Sequence, residues 1–418
     1  MKGIKSYSSA SNLTMRNSLS AFFVSAPPKA RRIESIDLLR GIVMIIMALD
    51  HVRHFFHREA YLYDPTDFTQ TSPVLFFTRW ITHFCAPVFV FLAGISAYLY
   101  GIRKSRAELA NYLFTRGLWL IFAELFIVGL GQTFNPSFHF FVFQVIWAIG
   151  ISMIALSAMI YMKRPFMFAI AILLIAAHNL LDQLHIPGHG VGAFAWSILH
   201  EPSGFFFGRF NVIILYPVLP WIGILTVGYY MGYLFSPHYE AEKRKTVLLA
   251  LGFIAIELFL FLRTTNIYGD AAQWHNQKNA IFTLLSYLNV TKYPPSLLYI
   301  LMTLGPAMIF LALADGPLNA FTKRIAVFGR VPFFYYVVHI YLIHLLAVIA
   351  AVISGYPWSD MILTTRINLQ PGLKGFGFNL LTVYLVWISL ILILYPICNW
   401  YDQYKRSHLS RQPWLSYF

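Results

Sequence analysis

The chain has 418 residues, of which 58% are hydrophobic and only 11% charged, with a mean hydropathy of +0.62 and a formal charge of +14. Soluble domains carry about 25% charged residues, so this composition excludes a soluble protein and indicates an all-α polytopic bundle with room for about ten spans. The basic residues are scattered between apolar runs and form no patch alternating with exposed aromatics, which excludes a nucleic-acid binder and reads as a positive-inside signal.

Residues 1–35 hold Lys2, Lys5, Arg16, Lys29, Arg31 and Arg32 among Ser and Asn. They lack an apolar signal-peptide core and are expected to form a flexible basic cytoplasmic tail. The first span, 36–57, reads IDLLRGIVMIIMALDHVRHFFH and carries Asp37, Arg40, Asp50, His51, Arg53, His54 and His57. At about 100° per residue, Asp37, Arg40 and His51 fall within about 60° on one helix face. Rising 1.5 Å per residue, His51 lies roughly 22 Å from Ile36, towards the far side of a hydrocarbon core about 30 Å thick. Ionisable groups are costly in a bilayer, so they should face a bundle interior or a wet cavity, and they mark a functional site.

A polar connection with Asp64 and Asp67 leads to a second span at 74–100, which holds Arg79, His83, Cys85 and Pro87. Further spans are expected at 112–131, 138–162, 165–181, 213–235, 246–262, 295–314, 331–353 and 379–400, followed by a basic tail over 401–418. Long polar connections fill 182–211, with His185, His189, His200 and Glu201, and 263–294, with Asp270, His275 and Lys292. With both termini cytoplasmic, the inner segments hold 20 Lys and Arg and the outer connections 7, as an N-in, C-in arrangement requires. There is no internal repeat of the kind that marks inverted-repeat transporters. Cys85 and Cys398 sit in apolar runs near opposite faces, so neither a disulfide nor a thiolate zinc set is expected.

Arg79 and His83, at i and i+4, share a helix face, and two short-linked antiparallel helices are neighbours, so His51 and His83 are expected to line one cavity. Imidazole titrates near neutral pH and suits proton removal from an amine or hydroxyl nucleophile. Asp50 is positioned to orient an imidazole, and the arginines suit anionic groups. His51, His54 and His57, at i, i+3 and i+6, do not share one face, and no metal is predicted. His178 reads as a hydrogen-bonded bundle histidine, while His339 and His344 either do the same or line the cavity. Glu124 and Glu257 are mid-span carboxylates with no identified partner.

IDLLRG followed by ALDH resembles the opening helix of membrane-bound acyltransferases, in which a His or Asn follows the Asp of an Asp-x-x-Arg-Gly turn by fourteen residues; Asp37 and His51 keep that spacing. HFCAPVFVFLAG, LYPVLPWIGILTVGYYMG from Leu215, NVTKYPPSLLYILMTLGP from Asn289 and GRVPFFYYVVH from Gly329 resemble the heparan-alpha-glucosaminide N-acetyltransferase catalytic-domain family, chiefly its bacterial branch, over about residues 31–400. The chain differs from the heparan-modifying members in carrying His51 in place of Asn, His83 in place of Asp and a longer connection after the first span.

The resemblance implies a multi-pass protein of the bacterial cytoplasmic membrane, with residues 36–400 as its transferase domain. It would move an acetyl group from cytoplasmic acetyl-CoA to an extracytoplasmic glycan or amino-sugar acceptor, and a homo-oligomer is compatible with this. His51 is then the base or acyl-transfer residue, with Asp50 as orienter and His83 as a second acid/base. His57 is the counterpart of the catalytic histidine that the family carries between its first two helices. Arg40 with Asp37 would hold the CoA moiety, and Arg79, His54 and His339 the acceptor or a developing oxyanion. Direct transfer and an acetyl-imidazole intermediate both fit. A transporter using the same histidines as a proton relay, or a membrane scaffold, are the competing classes.

Overall fold

The first charged stretch folds as one helix, α1 (Glu34–Phe56), in a computed structural model that describes residues 33–412 and 414–415. The expected N-terminal tail lies outside the described residues except for 33–35. Glu34 and Asp37 occupy the first turn of α1 and Arg53 and His54 the last, each complementing the helix dipole. α2 (Pro73–Gly101) is broken by a 3-10 turn over Ile81–Phe84. Pro87 supplies no N–H to the His83 carbonyl one turn back, and that carbonyl instead accepts from Tyr299 Oη at 2.7 Å.

α3 (Arg106–Thr133) begins with a capping box between Ser105 and Glu108 and contains a π-helical segment, Ala123–Val128. After β1 (Phe140–Phe143) come α4 (Val145–Met159), α5 (Arg164–Ala176) and the short α6 (Val191–Leu199). β2 (Ser203–Phe207) and β3 (Phe210–Ile214) precede α7 (Leu219–Phe235) and α8 (Ala241–Thr265). The chain ends with α9 (Ala280–Leu288), α10 (Leu297–Leu313), α11 (Ala320–Arg330), α12 (Pro332–Ile353) and α13 (Leu380–His408).

The architecture is mostly helical, but it is not all-α. The strands form a small sheet in the order β1-β3-β2, with β1 parallel and β2 antiparallel to β3. Gly208, at φ +58°, takes the first central position of the two-residue hairpin turn, where a side chain would be strained. FFVF and FNVII are aromatic and β-branched, so they read as the starts of apolar spans while favouring strand locally.

Among the described residues, five helices are long and apolar enough to cross a membrane: α2, α3, α8, α12 and α13. α4, α5, α7 and α10 are apolar but shorter. α1, at 23 residues, is long enough but carries five charged residues. In their apolar windows α2 is 56% buried, whereas α8 and α13 are 22% and 17% buried, so α2 lies inside the bundle and the other two present Phe253, Phe261, Leu385 and Leu392 outward.

Helices meet at glycines, as small-residue packing in membrane bundles requires: Gly117 and Gly150 face each other, as do Gly252 and Gly305, and Gly94 and Gly228 pack on the backbone of the facing helix. The tightest approach joins α1 to the amphipathic α11, where a Cβ on Gly329 would stand 1.9 Å from the Asp37 carbonyl oxygen. Gly329→Ala must therefore separate the two helices. Overpacking of this kind costs about 1–3 kcal/mol, and a lowered melting temperature in detergent is the expected result.

Candidate active site

The C-terminal end of α1 opens onto a cavity of about 400 Å3, within the range of small-molecule sites. Asp50, His51, Arg53 and His54 line it from α1, and Arg79, Thr82 and Cys85 from α2. Tyr336 and Ile340 line it from α12, and connections between helices add Tyr63 and Asp64, Gln144, Leu215 and Tyr216, Lys292 and Tyr293, and Arg366.

Asp50 does not orient an imidazole. Its Oδ1 accepts from Arg53 at 3.0 Å and its Oδ2 from Arg79 at 2.8 Å, and Arg79 also donates to Thr82 Oγ1 at 3.1 Å. Two guanidiniums thus compete for one carboxylate, and the pairing fixes both in the cavity wall.

His51 is oriented by His339 of α12, with Nδ1 2.7 Å from His339 Nε2. His339 Nδ1 lies 3.0 Å from the Tyr335 carbonyl oxygen, which only accepts, so that nitrogen carries the proton. A neutral His339 then accepts at Nε2, His51 donates from Nδ1, and the lone pair of His51 remains on Nε2. Tyr335 and His339 stack with ring centroids 5.0 Å apart, and Tyr336 meets His51 edge-on at 6.0 Å, which holds the relay in place. An imidazole with a free basic nitrogen beside two arginines suits proton removal from a nucleophile and stabilisation of a developing anion.

Lys292 and Tyr293 complete the cationic side of the wall. Burial alone would raise the Tyr293 phenol, but the Lys292 and Arg79 cations outweigh it and draw the group below its ordinary value. Gln144 donates to Gln132 at 2.7 Å across the connection from α3 to α4.

The other expected residues stand apart from the cavity. His83 lies behind the wall, 3% exposed, with its ring 5.5 Å from that of Tyr299. His57 serves the backbone: it bridges to Phe378, fastening the first connection to the last. Asp37 and Arg40 belong to a network at the opposite end of α1, where Arg40 donates to the Gly329 carbonyl and to Ser96, and Arg330 reaches both Asp37 and Asp402. His344 bridges the carbonyls of Gly131 and Met361 and is a fastener. Glu124 accepts from the Ile146 and Trp147 N–H groups and so caps α4 from a neighbouring helix.

Tyr216, Lys292, Tyr293 and Tyr336 were not expected in the site. Each lies within one of the sequence stretches that carry the family resemblance, which is the signal that marks them. No curated protein matches the chain. The family described as "Heparan-alpha-glucosaminide N-acetyltransferase, catalytic" matches over residues 32–268, more than half of the sequence. The match takes in Asp50, His51, Arg53, Arg79 and Tyr216 and ends before Lys292, Tyr293 and His339. The chain belongs to the heparan-alpha-glucosaminide N-acetyltransferase catalytic-domain family.

Proposed function

We propose that the protein is a membrane acetyltransferase that passes an acetyl group from cytoplasmic acetyl-CoA to an extracytoplasmic sugar amine or hydroxyl, with His51 as its base. The observation that carries this is the His51–His339–Tyr335 relay, which leaves a basic nitrogen in a cavity walled by Arg53, Arg79 and Lys292. On the ten-span reading, residues 36–400 form the transferase domain between basic cytoplasmic ends. Four of the five connections placed outside by charge then contribute to the cavity and the four inner ones do not, which supports an outward-opening acceptor site. The transporter class gains no support from the family match.

In the reaction, His51 Nε2 takes the proton of the acceptor amine or hydroxyl as it attacks the thioester carbonyl. Arg79, fixed by Asp50, faces the charge that develops on the carbonyl oxygen, with Tyr293 as a second donor. The proton held by His51 then passes to the departing sulfur, so the products are acetylated acceptor and CoA thiol. If His51 first accepts the acetyl group itself, the same geometry serves both halves of the transfer. Arg40, about 16 Å along α1 from His51 at 1.5 Å per residue, stands with Arg330 and Arg406 around Asp37 and Asp402, three cations to two carboxylates among the described residues. This keeps a cationic excess at the cytoplasmic end for the donor's phosphates.

The test is release of CoA from acetyl-CoA by protein in nanodiscs, with and without glucosamine or envelope glycans. Acceptor-dependent release is expected; its absence across acceptors, together with no thermal shift by acetyl-CoA, removes the reading. His339 positions His51 without lining the cavity. His339→Ala should lower kcat by about 10²-fold, part of the usual general-base contribution, with KM little changed. His339→Gln keeps an acceptor for the His51 N–H and should recover part of the loss.

A further inference from the structure

We infer that His178, Asp182 and His200 form a binding site for a zinc-class divalent metal ion, built between α5 and the β2–β3 hairpin. One ligand atom from each residue lies within 4.8 Å of the other two. The two histidines are 3% and 2% exposed. His178 is not the hydrogen-bonded bundle histidine its setting suggests. Neither of its ring nitrogens has a hydrogen-bond partner, although the Pro295 carbonyl approaches the ring outside hydrogen-bonding geometry. An unpartnered buried imidazole is costly, and a metal ion would satisfy it.

The rest of the cluster is already arranged as a ligand set. His200 Nε2 lies 2.9 Å from Asp182 Oδ1, and its Nδ1 has no partner. Asn179 donates to Asp182 Oδ2 at 2.8 Å and so orients the carboxylate from outside the cluster. Two imidazoles and one carboxylate suit Zn2+ and its neighbours rather than Ca2+ or Mg2+, which prefer oxygen-only shells. Ligand atoms within 4.8 Å of one another would draw closer in a tetrahedral shell with bonds of about 2 Å.

The position of the cluster assigns the ion a bracing role. His178 and Asp182 follow α5, and His200 follows α6 just before β2. β3 then runs directly into Leu215 and Tyr216 of the cavity wall. Asn179 also accepts from the Leu297 N–H at the start of α10. A bound ion would tie these segments together behind the wall, independently of which reaction the cavity performs.

The experiment uses full-length protein in detergent with any affinity tag removed, loaded with Zn2+ and freed of excess metal. About one zinc per chain is expected by elemental analysis, with a melting temperature raised by Zn2+ and lowered by chelator. Both effects should vanish in His178→Gln, which removes no hydrogen bond, and in the near-isosteric Asp182→Asn. Should either variant fail to fold, Co2+ titration of the wild type decides: visible absorption bands of a tetrahedral nitrogen–oxygen site support the proposal. Wild type that retains no zinc and shows no such bands, or folded variants that retain as much zinc as wild type, overturn it.

Discussion

His51→Ala should lower turnover by about 10²- to 10⁴-fold, the range a positioned general base contributes, in a protein that still folds and inserts. The loss follows from the relay: His339 can only accept from His51, so the imidazole presents one defined basic nitrogen to the cavity. Removing the ring deletes that nitrogen and leaves Asp50, Arg53 and Arg79 paired as before. Steady-state kinetics beside a melting curve separate the two effects. Wild-type turnover in a folded His51→Ala protein would place the base elsewhere.

Asp50→Ala carries the largest expected cost in stability. Its carboxylate is the ion-pair partner of both Arg53 and Arg79, whose side chains are 8% and 13% exposed. Breaking a buried pair from one side typically costs about 3–5 kcal/mol; with the Asp50 side chain a fifth exposed, the lower end, about 3 kcal/mol, is expected. Asp50→Ala combined with Arg79→Met should recover part of the loss, because one uncompensated cation is removed with its partner. Thermal unfolding of the single and double variants measures it, and equal melting temperatures for wild type and Asp50→Ala would show that the network contributes nothing.

Much of this arrangement was legible in the residues. Each expected apolar span overlaps one of the helices, five of which are long and apolar enough to cross a membrane among the described residues, because long apolar runs survive any window. The density of ionisable groups in α1 pointed to its C-terminal end as a candidate site, and Asp50, His51, Arg79 and His54 line one cavity there. What periodicity could not settle was which way each side chain turns. His83 shares a face with Arg79 in an ideal helix, but the 3-10 turn ahead of Pro87 changes the phase and sends it behind the wall. His57 lies one residue beyond α1, where the chain pairs with Phe378, a partner more than three hundred residues away.

The partner of His51 was likewise invisible to local reading, since it comes from α12; Asp50, adjacent in sequence, was the nearer guess. The sheet was hidden because its strands are as apolar as the spans that follow them. Asp37 and Arg40 were legible as a polar pair at the cytoplasmic end of α1, but not that a glycine contact with α11 brings Gly329 and Arg330 against them.

The most direct measurement reconstitutes the protein in sealed vesicles with glucosamine trapped inside and acetyl-labelled acetyl-CoA added outside. Label should accumulate on the enclosed sugar while CoA thiol appears in the outer solution, and both should be lost with His51→Ala. Label that reaches sugar only when both substrates share one compartment, or no labelled sugar in either arrangement, would contradict transfer across the bilayer.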